Sequence, residues 1–114
     1  MQLVNRSAIV VLPGKLFLDW LHRVDPTSGH LTLADLRREP SIYLLPENDD
    51  DATQREDLAH ACTKIFEDQL DGWYRDVLVW PTCLDMETFV AWFEFSVHSM
   101  LIDTCDAPLT REDL

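Results

Sequence analysis

The chain has 114 residues and a formal charge of −12, because 21 acidic side chains face only 9 basic ones. Hydrophobic residues make up 46% of the chain and include four tryptophans and five phenylalanines, which excludes a disordered polymer and predicts one folded domain with a substantial core. The acidic balance disfavours direct binding to nucleic acid or to anionic membranes, since both depend on clustered lysine and arginine.

Targeting and redox signals predict a cytoplasmic protein without a membrane segment. The N-terminal stretch has no basic region followed by a sustained apolar one, and no apolar run approaches the ~20 residues of a membrane span. Cys62, Cys83 and Cys105 form no CxxC pair, so we expect reduced thiols rather than disulfides or a zinc site. No cofactor is predicted either, because the 3 glycines do not have the spacing of a phosphate-binding loop.

The first half of the chain predicts two strands and two helices. Residues 7–12 are a β-branched apolar run that stops at Pro13, which is typical of a buried strand. Apolar residues then recur at helical spacing, and Thr32 with Asp35 resembles a capping box at the start of a short second helix. Residues 41–45, bounded by prolines, predict a second strand, which a right-handed crossover would place parallel to the first.

A long amphipathic helix is the clearest element of the second half. Its apolar stripe runs from Leu58 to Trp73, and residues 48–51 predict a loop and helix N-terminus, where carboxylates meet free backbone N–H groups. Residues 77–80 are predicted to be extended, Asp85 to cap a further helix, and residues 95–103 to form a third strand by their alternation. Residues from about 105 to 114 are predicted to be a polar tail.

These elements predict a single α+β domain over residues 1–114, with about three central strands packed with helices on one or both faces. A small open α/β sandwich is the alternative, because the direction of the third strand is left open by the pattern. Neither an internal repeat nor a linker divides the chain.

Five stretches carry a family resemblance: LTLADLRREP at 31–40, IYLLPE at 42–47, QLDGWY at 69–74, WP at 80–81, and WF through HSM at 92–100. Together they resemble a family of short acidic, uncharacterised bacterial proteins with no assigned function. The resemblance covers most of the chain and implies a bacterial cytoplasmic protein. Its motifs imply no catalytic residue.

The charge is uneven along the chain and indicates where a partner would bind. Residues 1–40 hold four acidic and five basic side chains, which leaves 17 acidic and four basic ones for residues 41–114. We therefore predict an interaction module that binds a basic protein partner, with Trp80 and Trp92 as aromatic anchors and the carboxylates of Glu67, Asp68 and Asp71 as the acidic surface. A homo-oligomer is also left open by the sequence.

The same carboxylates suggest a second hypothesis, namely an inhibitor of a basic protein or a nucleic-acid mimic. Mimicry would require regular, exposed spacing of Glu56, Asp57, Glu67, Asp68 and Asp71 along the long helix. Pairing of these groups with Lys64 or Arg75 would remove the motivation for that hypothesis.

An enzyme is the alternative from a different class. Glu94, Ser96 and His98 alternate onto one face of the predicted third strand, and Asp103 lies on the opposite face. A histidine beside carboxylates can act as an acid or a base, so a small hydrolase would use His98 with Glu94 or Asp103. A solvent-facing side of a half-buried strand gives the same alternation, and no Gly-x-Ser-x-Gly elbow is present. The sequence therefore favours a protein without catalytic residues.

Overall fold

A computed structural model describes residues 1–48 and 50–114, so Asp49 of the predicted loop and helix N-terminus lies outside the described residues. The elements, in chain order, are β1 Gln2–Leu3, β2 Arg6–Pro13, α1 Lys15–Val24, α2 Leu33–Leu36, β3 Ser41–Pro46, α3 Asp51–Trp73, α4 Met86–Trp92, β4 Phe93–His98 and β5 Ile102–Asp103. Short 3-10 turns occupy Pro26–Ser28 and Val77–Val79. This arrangement confirms the predicted α+β class in a single small domain.

The central sheet has the strand order β3-β2-β4, and both pairings are antiparallel. Ile9 of β2 lies opposite Tyr43 on one side and Val97 on the other. The predicted parallel pairing of the first two strands is wrong. Helix α1 leads away from the end of β2, and the segment through α2 returns to that same end, where Ser41 pairs with Val11. Strand β3 therefore begins where β2 ends and runs in the opposite direction.

The predicted third strand over residues 95–103 is also wrong in its extent. Strand β4 follows β2 only as far as the pair of His98 with Ala8, close to the point where β2 begins. The chain then breaks its pairing and forms a second, two-stranded ribbon in which β5 pairs with β1, with Leu3 opposite Ile102. Two-residue strands show no alternation, and β1 therefore had no signal in the sequence.

Helices cover one face of the central sheet. Ile9 and Val11 point to this covered face and are fully buried, while Phe17, Phe66 and Phe89 bring fully buried aromatic rings against them from α1, α3 and α4. Burial of such side chains is the main stabilising contribution to the fold, at about 1.5–3 kcal/mol each. The opposite, open face of the sheet exposes Ile42 and Leu44 and has no covering layer among the described residues.

Helix starts follow the predicted chemistry. Asp50 accepts a hydrogen bond from the Thr53 N–H at the start of α3, and the predicted capping box of Thr32 and Asp35 is present at α2. Asp85 caps α4 through the Thr88 N–H, also as predicted. Residues 104–114 are exposed and contain neither helix nor strand.

Candidate functional site: the acidic face of α3 and the Leu78 turn

The solvent side of α3 carries the carboxylates that the sequence singled out. At 100° per residue, Glu56, Glu67 and Asp71 fall within a sector of roughly 60°, and Asp57 and Asp68 lie beside it. All are exposed except Asp57, which is half-buried. We call this set of five side chains the acidic face.

The acidic face is not neutralised by any basic side chain in the part of the chain that the structure describes. Over residues 1–48 and 50–114, the ion pairs join Lys15 to Asp19, Arg37 to Glu94, and Arg38 to Asp35. None of them involves α3, so neither Lys64 nor Arg75 pairs with these carboxylates in the described part of the chain. The negative potential of the face is therefore open to a partner.

The carboxylates form two groups rather than a regular row. Glu56 and Asp57 occupy one turn, whereas Glu67, Asp68 and Asp71 lie about 16 Å further along the helix axis. His60 and Lys64 occupy the interval between them, and Lys64 adds a positive charge there. Phosphates of a duplex follow one another much more closely and evenly, so this spacing does not favour nucleic-acid mimicry.

Asp68 also has a structural contact. The Tyr43 hydroxyl of β3 donates to Asp68 at 2.5 Å, and Nε2 of the buried Gln69 donates to the same hydroxyl at 2.8 Å. Partial burial, followed by this hydrogen bond to Asp68, raises the pKa of Tyr43 to about 12. The network ties the edge strand β3 to α3 and fixes the orientation of one carboxylate of the acidic face.

Removal of the Tyr43 hydroxyl should change the response of the protein to alkaline pH. Because the folded pKa of Tyr43, about 12, exceeds its ordinary value of 10.0, its contribution to stability is complete below pH 10 and is lost as pH rises through 12. We expect wild type to lose about 1–2 kcal/mol of unfolding free energy across this interval, a value reduced for partial solvent exposure, and Tyr43→Phe to lose markedly less.

Urea denaturation on either side of this interval measures the difference. Tyr74→Phe is the matched control, and it should retain the wild-type alkaline loss because Tyr43 is intact. An equal alkaline loss in wild type and Tyr43→Phe would contradict the assigned role of this hydroxyl.

A 3-10 turn at Val77–Val79 lies just beyond the acidic end of α3. The predicted extended segment at 77–80 is wrong, because the Asp76 side chain accepts from the Leu78 N–H at 3.1 Å and folds the chain into a turn. Leu78 is 93% exposed at its tip, and Val77 beside it is also exposed. We call residues 77–79 the Leu78 turn.

Two tryptophans hold the Leu78 turn in place. The Trp20 indole donates to the Val79 carbonyl at 2.8 Å, and the Trp80 indole donates to the Tyr74 carbonyl at 2.8 Å. Since Trp20 is itself buried in α1, the turn is anchored to the core. The result is an apolar side chain presented to solvent on a rigid support.

The two tryptophans predicted as anchors therefore have internal contacts. Trp80 is half-buried and supports the Leu78 turn, while Trp92 is half-buried with its ring 5.5 Å from that of Phe66 and 6.2 Å from that of Phe17. Sequence reasoning missed Val77 and Leu78. Their signal was an acidic residue directly before a short aliphatic run that ends at Trp80-Pro81, a pattern that suits a capped turn.

The histidine group lies on the open face of the sheet. Ser96 Oγ and His98 Nε2 are 2.8 Å apart, and both residues are exposed. Glu94 is ion-paired with Arg37 at 3.4 Å, and Asp103 accepts from the Cys105 N–H on the separate ribbon. Within the described residues neither carboxylate hydrogen-bonds to the imidazole, so the geometry lends the hydrolase hypothesis no support.

Neither Cys62 nor Cys83 is placed as an activated nucleophile. Cys62 is buried, and the exposed Cys83 donates its thiol to Asp85 Oδ2 at 3.0 Å. This hydrogen bond is the main reason that the pKa of Cys83 is raised and that of Asp85 is lowered to about 2. A raised pKa keeps Cys83 protonated, and the protonated thiol is less reactive than the thiolate.

Cavities and metal-ligating groups add no stronger candidate. A crevice of 170 Å³ between α2, β3 and the end of α3, beside Gln69 and Trp73, is small for an organic ligand. Larger hollows of 330–410 Å³ lie beside Cys83, along the ribbon and beside Met100, and none contains a histidine among its described lining residues. Over the part of the chain that the structure describes, no group of three or more histidine, cysteine or acidic side chains is placed to hold a metal ion. The acidic face and the Leu78 turn are thus the best-defined candidate site.

No family model, no curated protein and no solved structure matches the chain. No helix among the described residues has both the length and the apolar character needed to cross a bilayer.

Proposed function

We propose that this chain is a small cytoplasmic interaction module that binds a basic protein partner through the acidic face of α3 and the Leu78 turn. The observation that carries the proposal is that unneutralised carboxylates near the end of α3, Glu67 and Asp71, are followed closely along the chain by an almost fully exposed leucine on a hydrogen-bonded turn. Asp71 lies in the last turn of α3, and only residues 74–76 separate that helix from the Leu78 turn.

Each part of this surface would contribute differently. Carboxylates at the rim of an interface accelerate association with a basic partner and select against acidic ones. A leucine that enters an apolar pocket of the partner contributes through desolvation, at about 25 cal/mol per Å² of apolar area. Because the hydrogen bonds from Trp20 and Trp80 already hold the turn, little conformational entropy is lost on binding.

The inhibitor hypothesis describes the same surface with a different consequence for the partner. If the basic partner is an enzyme that acts on anionic substrates, occupation of its basic site by the acidic face would block it. The spacing of the carboxylates in two groups favours a protein surface with two basic patches over a site built for a regular phosphate backbone. Three free cysteines and the family resemblance support the bacterial cytoplasm as the compartment.

Affinity capture from bacterial lysate at low and high salt tests the proposal. We expect a basic protein to be retained at low salt and released at high salt, since the Debye length falls from ~10 Å at 0.1 M to ~3 Å at 1 M. The double substitution Glu67→Lys/Asp71→Lys should abolish capture, and Leu78→Ser should weaken it by roughly tenfold or more.

The matched control is Glu112→Lys/Asp113→Lys in the exposed tail, which changes the net charge of the chain by the same amount. This variant should capture the partner at close to the wild-type level. Equal loss in the two charge variants would show that net charge alone drives retention. Retention that is independent of salt and of all three substitutions would refute the assignment of this surface.

A further inference from the structure

The open face of the central sheet is the other surface that the fold leaves uncovered. Cross-strand rows run from the polar side chains of β4 to the apolar ones of β3: His98 lies opposite Ala8, which lies opposite Leu44, and Ser96 is similarly aligned with Val10 and Ile42. Ile42 and Leu44 are 61% and 51% exposed. The face is thus apolar along β3 and polar along β4.

This face carries little of the negative charge of the molecule. The chain has a formal charge of −12, yet Glu94 is the single carboxylate in the β2 and β4 rows of the open face, and Arg37 pairs with it at 3.4 Å. Arg6 adds a positive charge where β2 begins. Two copies of this acidic chain could therefore approach through their open faces without bringing carboxylates together.

We propose that the open faces of two copies pack against each other about a twofold axis that runs perpendicular to the strands. Such an axis lays β3 of one copy on β3 of the other, so the apolar pair of Ile42 and Leu44 packs against the same pair of the second copy. The polar side chains of the two β4 strands likewise pack against each other. A twofold axis parallel to the strands would instead lay the apolar strand on the polar one.

Charge complementarity selects the same axis. Arg6 and the row that contains Leu12 and Glu94 lie at opposite ends of the face, about 20 Å apart along β2. Reversal of the strands by the perpendicular axis brings Arg6 of one copy to the end that holds Glu94 of the other, where the Glu94 side chain is 69% exposed and so stays accessible beside its ion pair with Arg37. The parallel axis would bring the two Arg6 side chains together.

The size of the face sets the strength of this contact. Three strands ~4.8 Å apart and about 20 Å long give a flat area on the order of 300 Å². A neighbouring, largely apolar groove of 250 Å³, lined by Val4, Leu44, Leu101, Ile102, Leu109 and one carboxylate, Asp103, extends the contact toward the ribbon. Since a standard interface buries about 800 Å² per partner, the dimer is weak and reversible.

Sedimentation velocity of the full chain from micromolar to millimolar concentration tests the proposal. We expect a monomer–dimer equilibrium, and Ile42→Lys should raise its dissociation constant by roughly tenfold or more because a charged side chain would have to be desolvated against Leu44 of the second copy. Lysine is well tolerated on an exposed edge strand, so the variant should fold. Leu78→Lys, the same kind of change on the Leu78 turn, should leave the equilibrium unchanged.

A charge exchange tests the direction of the axis. Arg6→Glu and Glu94→Arg should each weaken the dimer, and the double variant Arg6→Glu/Glu94→Arg should recover most of the wild-type association. A chain that stays monomeric throughout, a dimer that is indifferent to Ile42→Lys, or a double variant without recovery would overturn the proposal. Because Ile42 and Leu78 belong to different surfaces, these results are separate from those of partner capture.

Discussion

Phe66→Ala should destabilise this protein more than any other substitution considered, by about 3–5 kcal/mol of unfolding free energy. Phe66 is fully buried on the inner side of α3, and its ring centroid lies 5.1 Å from that of Phe93 and 6.3 Å from that of Phe89. Its loss would leave a cavity between α3, α4 and β4, which the surrounding rings could fill only in part. Small domains have about 5–15 kcal/mol of total stability, so a large share would be lost.

Thermal unfolding followed by circular dichroism measures this effect, and the midpoint should fall by on the order of 10–20 °C. Val90→Ala is the control, because Val90 lies on the same layer in α4 but is 55% exposed. We expect that variant to stay within about 0.5 kcal/mol of wild type. Similar losses in both variants would mean that Phe66 is not a central member of the core.

Gly14→Ala should cost about 2–4 kcal/mol, the second largest effect. Gly14 lies between β2 and α1, and its N–H donates to the Trp92 carbonyl at 2.7 Å. A Cβ atom at this position would come within 2.8 Å of the same carbonyl oxygen, and this neighbour is backbone. The corner between β2 and α1 would have to move away from the junction of α4 with β4, which also weakens the hydrogen bond.

Gly72→Ala is the control, because it makes the same change from glycine to alanine but should raise the free energy of unfolding instead of lowering it. Gly72 lies within α3, and a Cβ atom there meets nothing within 4 Å beyond its chain neighbours and the backbone of its own helix. Alanine should therefore stabilise the protein by up to about 0.5–1 kcal/mol, because it restricts the unfolded chain and favours the helix. Denaturant titration of the two variants compares them directly. A neutral Gly14→Ala would contradict the close approach of these two backbone segments.

Partner capture and self-association test two different surfaces of this small molecule. The acidic face and the Leu78 turn belong to the helix layer and the connection after it, whereas Ile42 and Leu44 lie on the uncovered side of the sheet. A variant that affects one process and leaves the other intact would establish each surface in turn. The proposed interaction with a basic partner depends on salt, while the sheet contact depends mainly on apolar area.

Local chemistry in the sequence determined much of the secondary structure. The β-branched run of β2, the apolar stripe of α3, the capping box of Thr32 and Asp35, and the cap at Asp85 were all identified from residue type and spacing. These features depend on neighbours within a few residues, so one sequence contains the information that sets them. The position of the carboxylates on the outer side of α3 follows from the same periodicity.

Only the tertiary structure decided how distant segments pair. The antiparallel pairing of β2 with β3 depends on the returning path through α2, and the break after His98 depends on where β2 begins. Both are long-range consequences that local periodicity does not contain. Trp80 was expected as an anchor for the same reason, since its contacts in the folded chain are not visible in the sequence. In the structure the Trp80 indole donates to the Tyr74 carbonyl and the Trp20 indole donates to the Val79 carbonyl, and Leu78 is the exposed side chain instead.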